Sequence, residues 1–424
     1  MIDTTWIAPA LTGSRPRAVA ALLRYFRDLD TAEEAFQEAS LRAMQHWPTR
    51  GPPRDPVAWL ILVGRNAALD ELRRRQLNEP LPPEEEISDL DDMQSRLADQ
   101  LDEAHYRDDM LRLLFVCCCP SLPATQQIAL ALRVVSGLSV KEIASAFLVG
   151  ESAMEQRITR AKRHIAAAGI AFETPGAAER AERLAAVAST VYLLFNEGYS
   201  ASGGTEHVRA PLCDEAIRLA RLLQGLFPHE PEPAGLTALL LLQHARTPAR
   251  LDADGAVVLL QDQDRRLWIR SMIDEGLALL AQALQQRRPG PYQVQAAIAA
   301  THGRAMHAHD TDWAEIDRLY AALEAMQPSP VVTLNRAVAV AEVRGPGAAL
   351  EMIAPLDAAL ARYFHFHGLR GALLVRLGRH DEARAAFERA VTLARTAAEA
   401  AHIRGHLDQL APRTAARGAA KPIA

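Results

Sequence analysis

Aromatic residues are scarce: Phe, Trp and Tyr together make up 5% of the 424 residues. Ala and Leu dominate instead, a composition that favours packed helices over sheets. Cysteine is scarcer still, with four in the chain, and three of them (Cys117, Cys118 and Cys119) are adjacent while Cys213 stands alone. Neighbouring cysteines rarely share one metal or one disulfide without strain, so they read as small buried apolar residues in a reduced compartment. No window approaches 18 uninterrupted apolar residues, and the N-terminus has no basic segment leading into an apolar run. Neither a membrane span nor a signal peptide is expected, and the sequence reads as a soluble cytoplasmic protein. There is no surplus of positive charge, because the formal net charge is -5. Catalytic signatures are missing too: the 14 His are scattered, with no His-Glu-x-x-His, Walker loop or Gly-x-Ser-x-Gly. His302, His307 and His309 lie close together but have no carboxylate at metal-ligand spacing. No enzyme activity, metal or cofactor is therefore expected.

What is present is apolar mass, 49% of the chain, enough for cores in two to four domains. Charge is also segregated. Gln76 to Asp109 hold twelve acids and two Arg, a local charge of −10 that leaves +5 for the remainder. Prolines at the start of this acidic stretch favour an extended lead-in. Helical patterning covers about 14–75, broken by "WPTRGPPRDP", and returns over 110–168. "TPGA" at 174–177 marks a boundary, after which helices run to about 410. "ARLDADGAVVLL" suggests a small hairpin, from an Asp-Gly followed by β-branched residues. The tail from 411 to 424 reads as disordered.

An internal repeat lies near the C-terminus. Gly371, Leu374, Ala383, Phe387 and Ala390 sit 34 residues beyond Ala337, Val340, Ala349, Ile353 and Leu356. One step further back, Gly303, Met306, Glu315, Leu319 and Ala322 form a weaker copy, because Glu315 breaks the small-residue rule. A period of 34 built from paired helices is the tetratricopeptide signature.

Two helices carry a possible nucleic-acid chemistry. On a wheel centred on Trp59, residues Asn66, Asp70, Arg73 and Arg74 of "PVAWLILVGRNAALDELRRR" fall within about 60°, with Ile61, Ala68 and Leu72 opposite. Asn and Arg read base edges and phosphates, although a solvated amphipathic helix has the same pattern. Trp59 can stack on a base or pack against a neighbouring helix. "LSVKEIASAFLVGESAMEQRITRAKRHI" reads as helix, tight turn at Val149-Gly150, helix. Met154, Ile158, Ala161 and Ile165 form an apolar back. Ser152, Gln156, Thr159, Arg160 and Arg163 form the front, flanked by Arg157 and Lys162. An apolar back, a polar basic front and a Gly-containing turn suit a helix that enters a major groove.

Taken in order, "DLDTAEEAFQEASLRAMQHWP", "AWLILVGRNAALDELRRR" and the helix-turn-helix stretch resemble bacterial extracytoplasmic-function sigma factors of the sigma-70 family. "VYLLFNEGYSAS", "VLLQDQDRRLW", "PGPYQVQAAIAA" and "PSPVVTLNRAVAVAEVRGP" resemble the subgroup with a long tetratricopeptide-like extension (ECF forty-two type). The resemblance spans nearly the whole chain. It implies an all-α protein with sigma region 2 over 10–76 and an acidic linker over 77–109. Region 4, the helix-turn-helix, takes 110–170, a regulatory helical array 178–410 and a disordered tail 411–424. It implies two partners, the RNA polymerase core and promoter DNA. Asp30, Glu33, Glu34, Gln37 and Glu38 would dock on the polymerase. Arg65, Asn66, Asp70, Arg73 and Arg74, with the loop 50–55, would hold the opened minus-ten strand. At the minus-thirty-five element, Glu155, Gln156, Thr159 and Arg160 would contact bases, with Ser152 on the same face. Arg157, Lys162 and Arg163 would grip phosphate. The acidic connector would imitate nucleic acid in a basic channel.

Beyond 178, a helical array offers a groove for a protein or peptide not identified by the sequence. "NEGYS" and the cluster Arg246, Arg250, Asp252, Asp262, Gln263, Asp264, Arg265 and Trp268 form either a polar pocket or salt bridges between helices. A DNA-binding regulator that does not engage polymerase is the alternative reading, against which the acidic helix and acidic connector speak. A scaffold would leave both nucleic-acid faces unexplained.

Overall fold

The computed structural model describes residues 5–77, 103–147, 149–168, 177–199, 209–252, 258–394 and 397–410, without side chains for 71–77, 103–108, 177–179 and 397–398. The fold is all-α, as the composition implies. The acidic connector, apart from its two ends, and the C-terminal tail lie outside the described residues. The expected hairpin is represented only by the Val258 amide donating to the Arg250 carbonyl at 2.8 Å, because 253–257 fall outside as well.

Contacts divide the chain into two compact units, Met1–Gly198 with Arg209–Leu226, and Tyr199–Val208 with Phe227–Ala424. The first holds α1 (Ile7–Phe26), α2 (Leu29–Arg50), α3 (Pro56–Leu77), α4 (Glu103–Cys117) and α5 (Ala124–Val134). It continues with α6 (Val140–Ala146), α7 (Glu151–Ala167), α8 (Ala177–Tyr199) and α9 (Ala210–Leu226). The expected boundary at 178 therefore does not match the packing. α8 is tied to α5 by the Thr190 hydroxyl donating to Gln127 at 2.7 Å. Arg209, just before α9, donates to the Ala146 carbonyl and to Glu197. Val187, Val191, Leu194 and Phe195 of α8 are all at most 3% exposed. The Pro-Gly after α7 signals a turn, but a turn says nothing about which side of it the next helix packs.

Local sequence explains the key elements of this unit. α2 starts at Asp28, whose carboxylate accepts the Thr31 amide at 2.8 Å, an N-cap that satisfies an otherwise orphan donor. α6 starts at Ser139 with a full capping box to Glu142. α7 follows a turn at Val149-Gly150 and buries Met154, Ile158, Ala161 and Ile165, the stripe read from the sequence. α1, α2 and α3 form a bundle in which α3 crosses α2 at Gly64. A Cβ there would meet the Ala35 carbonyl oxygen at 2.7 Å, so the crossing needs glycine. Cys117, Cys118 and Cys213 are buried free thiols. Burial raises Cys117 well above the ordinary thiol range and holds Cys118 at about 12, which keeps both protonated and unreactive.

The second unit holds α10 (Pro231–His244), α11 (Arg270–Gln285), α12 (Pro291–Arg304), α13 (Trp313–Met326), α14 (Pro330–Val343), α15 (Pro346–Ile353), α16 (Asp357–Leu360), α17 (Phe364–Arg376), α18 (His380–Leu393) and α19 (Ala397–Leu410). The 34-residue period is visible as packing. Ala337, Val340, Ala349 and Ile353 form one core, and Leu374, Ala383, Phe387 and Ala390 the next. Gly371 lets Phe387 sit against the backbone of α17: a Cβ would meet the ring at 2.5 Å. The weaker copy departs from the pattern, since Met306 is 66% exposed and Ile316 and Leu323 fill the core there instead.

Candidate nucleic-acid interface

α7 presents a clean division. Ser152, Glu155, Gln156, Thr159, Arg160 and Arg163 are exposed, opposite the buried stripe. Arg160 donates to the Gln156 side chain at 3.3 Å, so one turn of the exposed face is already held together. Arg157 is half-buried. Lys162 departs from the expected phosphate role: its Nζ lies 2.6 Å from Asp30 Oδ1 and 2.6 Å from Glu33 Oε2. Burial lowers the Lys162 pKa, but attraction to Glu33 and hydrogen bonds to Asp30 and Glu33 outweigh it, so the ammonium is held above its ordinary value.

α2 corrects a second expectation. Glu33 is 4% exposed and does not reach the docking face. It accepts a 2.6 Å ion pair from Arg15 of α1 as well as the one from Lys162. Arg15 itself is lowered by burial, with Glu33 opposing that shift, and it also donates to the Arg133 carbonyl of α5 at 3.3 Å. Glu33 is thus the joint of a network linking α1, α2, α5 and α7. The periodicity of α2 could not reveal it, because a carboxylate one turn from an exposed one looks the same in sequence. Asp30, Glu34 and Gln37 remain exposed, and Glu38 is half-buried and paired with Arg42 at 3.0 Å. Leu41 and Met44, 53% and 51% exposed, continue the line one and two turns further on. The sequence reading overlooked them, although large apolar residues in step with Glu34 and Gln37 were a usable signal.

α3 is of two kinds. Its first half is buried on all sides: Ala58, Trp59, Leu60, Ile61, Leu62 and Val63 are each at most 8% exposed. Trp59 packs edge-on against Trp47 at 5.3 Å, and Trp47 stacks on Trp6 at 5.6 Å. Trp59 is therefore a core residue of the bundle. Polar character begins where the helix emerges, with Arg65, Asn66 and Asp70 half-buried. Arg65 lies 5.8 Å over the ring of Tyr25, which is 53% exposed. The side chains of Arg73 and Arg74 lie outside the described residues. The polar residues form the emerging end of α3 more than a face along its whole length.

Two helical segments stand out, one presenting a polar end and one a helix-turn-helix face. Residues 12–77 match the family described as Sigma-70 region 2, and residues 112–165 match Sigma-70, region 4. Residues 183–284 match a family of unknown function, DUF6596, which begins in the first compact unit and ends in the second. An uncharacterized protein of Rhizobium meliloti (strain 1021) is 68% identical over 411 residues, covering 97% of each chain. The chain belongs to the sigma-70 family. It has the domains of a sigma factor, a transcription initiation factor that binds the RNA polymerase core and promoter DNA. No described helix is long and apolar enough to cross a membrane, and no described group of three or more His, Cys, Asp or Glu could hold a metal ion.

Proposed function

We propose that this sigma factor is of the extracytoplasmic-function, ECF forty-two type, cytoplasmic and non-enzymatic, with a fused C-terminal regulatory unit. The exposed face of α7 reads the minus-thirty-five element, with Gln156 and Arg160 central. The emerging end of α3, from Arg65 to Arg74, holds the opened minus-ten strand. The exposed line of α2, from Asp30 through Glu34, Gln37 and Glu38 to Met44, docks on the polymerase. The carrying observation is the division of α7, where all of Ser152, Glu155, Gln156, Thr159, Arg160 and Arg163 lie opposite the buried stripe.

The tie of Lys162 to Asp30 and Glu33 holds the two promoter-reading segments in one compact unit. A compact unit of about 200 residues is roughly 45 Å across. The two promoter elements lie about 25 base pairs apart, roughly 85 Å of duplex. One closed unit does not cover both, so the tie opens when the promoter is engaged. Residues 78–102 can span at most about 85 Å, enough to let the segments separate.

The test is transcription by the purified chain with core polymerase from a library randomised at both elements. Gln156→Ala and Arg160→Ala are expected to relax preference at the minus-thirty-five positions by about 1–3 kcal/mol each, leaving minus-ten preference unchanged. Absence of any promoter-dependent transcript would reject the assignment. The C-terminal unit is best removed after Leu226, because a cut near Thr174 would strip α8 and α9 from the first unit. Higher activity of the truncated chain would assign the second unit an inhibitory role, and lower activity a supporting one.

A further inference from the structure

The second compact unit contains a concentration of positive charge that, among the described residues, is not ion-paired with the carboxylates the sequence places beside it. Arg246, two residues past α10, lies with its guanidinium 5.5 Å from the Trp268 ring. Its one hydrogen bond among the described residues runs from Nε to Gln263 at 3.5 Å, the outer limit for such a bond. Arg265 lies 5.1 Å from the same ring and is fixed by the carbonyls of His302 and Ala305, each at 2.9 Å, and by Thr311 at 3.0 Å. Arg250 stacks 3.7 Å over Tyr199 and donates to its carbonyl.

Among the described residues no salt bridge joins Arg246, Arg250 or Arg265 to a carboxylate. Asp264, the nearest in sequence, is turned outward as a helical cap and pairs with Arg266 at 2.7 Å. Asp262 is exposed. Asp310 attracts Arg265 only at longer range. Among the described residues, the salt bridges between helices that the sequence suggested are not made by these arginines. The groups oppose one another instead. Burial and then Arg250 lower Arg246, partly offset by Tyr199. Burial and then Arg246 lower Arg265. Burial, Arg246 and Arg265 together lower His302 to about 4. The buried Trp268 Nε1 and Arg265 Nε have no hydrogen-bond partner among the described residues.

Half-buried cations with no ion pair among the described residues carry a desolvation cost, and the negative end of the α10 dipole offsets only part of it. The arrangement makes sense when an anion completes it. All three arginines are half-buried, so a solute can still reach them. The terminal amines of Arg246 donate to nothing among the described residues, and a planar guanidinium matches an oxyanion in fork geometry. The geometry points to an oxyanion site in the second unit: Arg246 and Arg250 grasp the phosphate or carboxylate group of a small molecule, and Arg265, fixed by its carbonyl bonds, supplies further positive field over Trp268. Occupancy neutralises the pole and tightens the unit, giving a transcription factor of this build a chemical input of its own.

The test is calorimetric titration of the full chain with inorganic phosphate and, separately, with succinate, both at ionic strength matched by sodium chloride. Saturable binding of one of them is expected, and which one binds identifies the headgroup. Arg246→Gln and Arg250→Gln are each expected to weaken it at least tenfold, and Arg246→Lys, which keeps charge but loses the fork, by a smaller factor. Arg266→Gln, altering an exposed arginine paired with Asp264, is expected to bind as the unchanged chain does. Circular dichroism verifies folding, and if a Gln variant unfolds, Arg246→Lys carries the comparison. Binding of neither anion above the sodium chloride baseline, or equal binding by the Arg246 and Arg266 variants, would overturn the site.

Discussion

Arg15 and Arg209 in the first unit each meet a carboxylate, at 2.6 Å from Glu33 and 3.0 Å from Glu197. Arg246, Arg250 and Arg265 in the second unit meet rings, carbonyls and an amide. The first set is buried and the second half-buried, and the two differ as well in what balances the charge. A buried ion pair closes on itself and holds helices in place, with no need of anything from outside. A buried cation facing only neutral groups leaves attraction unspent, and that attraction is available to a ligand. Position in the fold agrees with this contrast. The paired set joins elements that must stay in register, whereas the set without ion pairs among the described residues gathers at the end of α10 beside the largely exposed Leu259–Asp262 turn.

The contrast can be broken most forcefully at Glu33. Glu33→Ala leaves Arg15 buried without its partner, and a loss of about 3–5 kcal/mol in chemical denaturation of the first unit is expected. A loss below 1 kcal/mol would mean that the network is not the joint described above.

A somewhat smaller effect is expected from pH in the second unit. His302 is held neutral, with its pKa lowered to about 4 from an ordinary value near 6.5. The unfolded chain therefore binds the proton more readily. The stability gained is fully present above pH 6.5 and is lost as pH falls toward 4, up to about 3 kcal/mol. Thermal melts of the full chain between pH 4 and 7 follow it, and His302→Gln should flatten the profile over that window. Phosphate added at pH 7 should raise the same transition in the unchanged chain.

Lys162 sharpens the comparison from the paired side. Lys162→Met leaves Glu33 its pair with Arg15 and is expected to cost about 1.5–3 kcal/mol, the range for a hydrogen bond to a charged group. It should also strengthen binding to core polymerase, because one tie that holds α7 to α2 is gone. Because the ammonium pKa is raised, this tie is fully present below the ordinary lysine range near 10.4 and is lost only as pH rises beyond it. Pull-down by immobilised core enzyme measures the effect. Unchanged or weaker binding would mean that this tie does not restrain docking. The smallest effect is expected at Asp264. Although Arg266 lowers its pKa to about 2, the pair is exposed to solvent, and Asp264→Ala should leave both the melting temperature and anion binding unchanged.

Much of this was legible in the chain itself. The stripe Met154, Ile158, Ala161 and Ile165 is buried as its spacing requires, because a helix of this length with one apolar face has one way to dry it. The 34-residue period placed Gly371 against Phe387 for the same kind of reason: small and large residues at matched offsets fit only one another. Where the reading failed, the deciding contact came from another element. The wheel for α3 drew its polar residues as a face along the helix, but the first half of that helix is buried all round, and of the two roles open to Trp59 the packing one holds. Lys162 and Glu33 looked like surface charges, and only the packing of α7 on α2 makes them partners across 129 residues of sequence. The boundary at 178 followed a Pro-Gly turn, while Thr190 and Arg209 bond back across it to Gln127 and Ala146.

By itself the sequence determined that the protein is helical, where its helices begin and which face of α7 is apolar. These are properties of spacing and of local hydrogen bonding, and they are fixed within a few turns of chain. Only the tertiary structure decided which charges are balanced and which are not. Electrostatic energy in a poorly solvated interior depends on distances of a few ångströms between groups far apart in sequence. That is why Glu33 became a joint and Arg246 an open hand, although each looks much like any other charged residue along the chain.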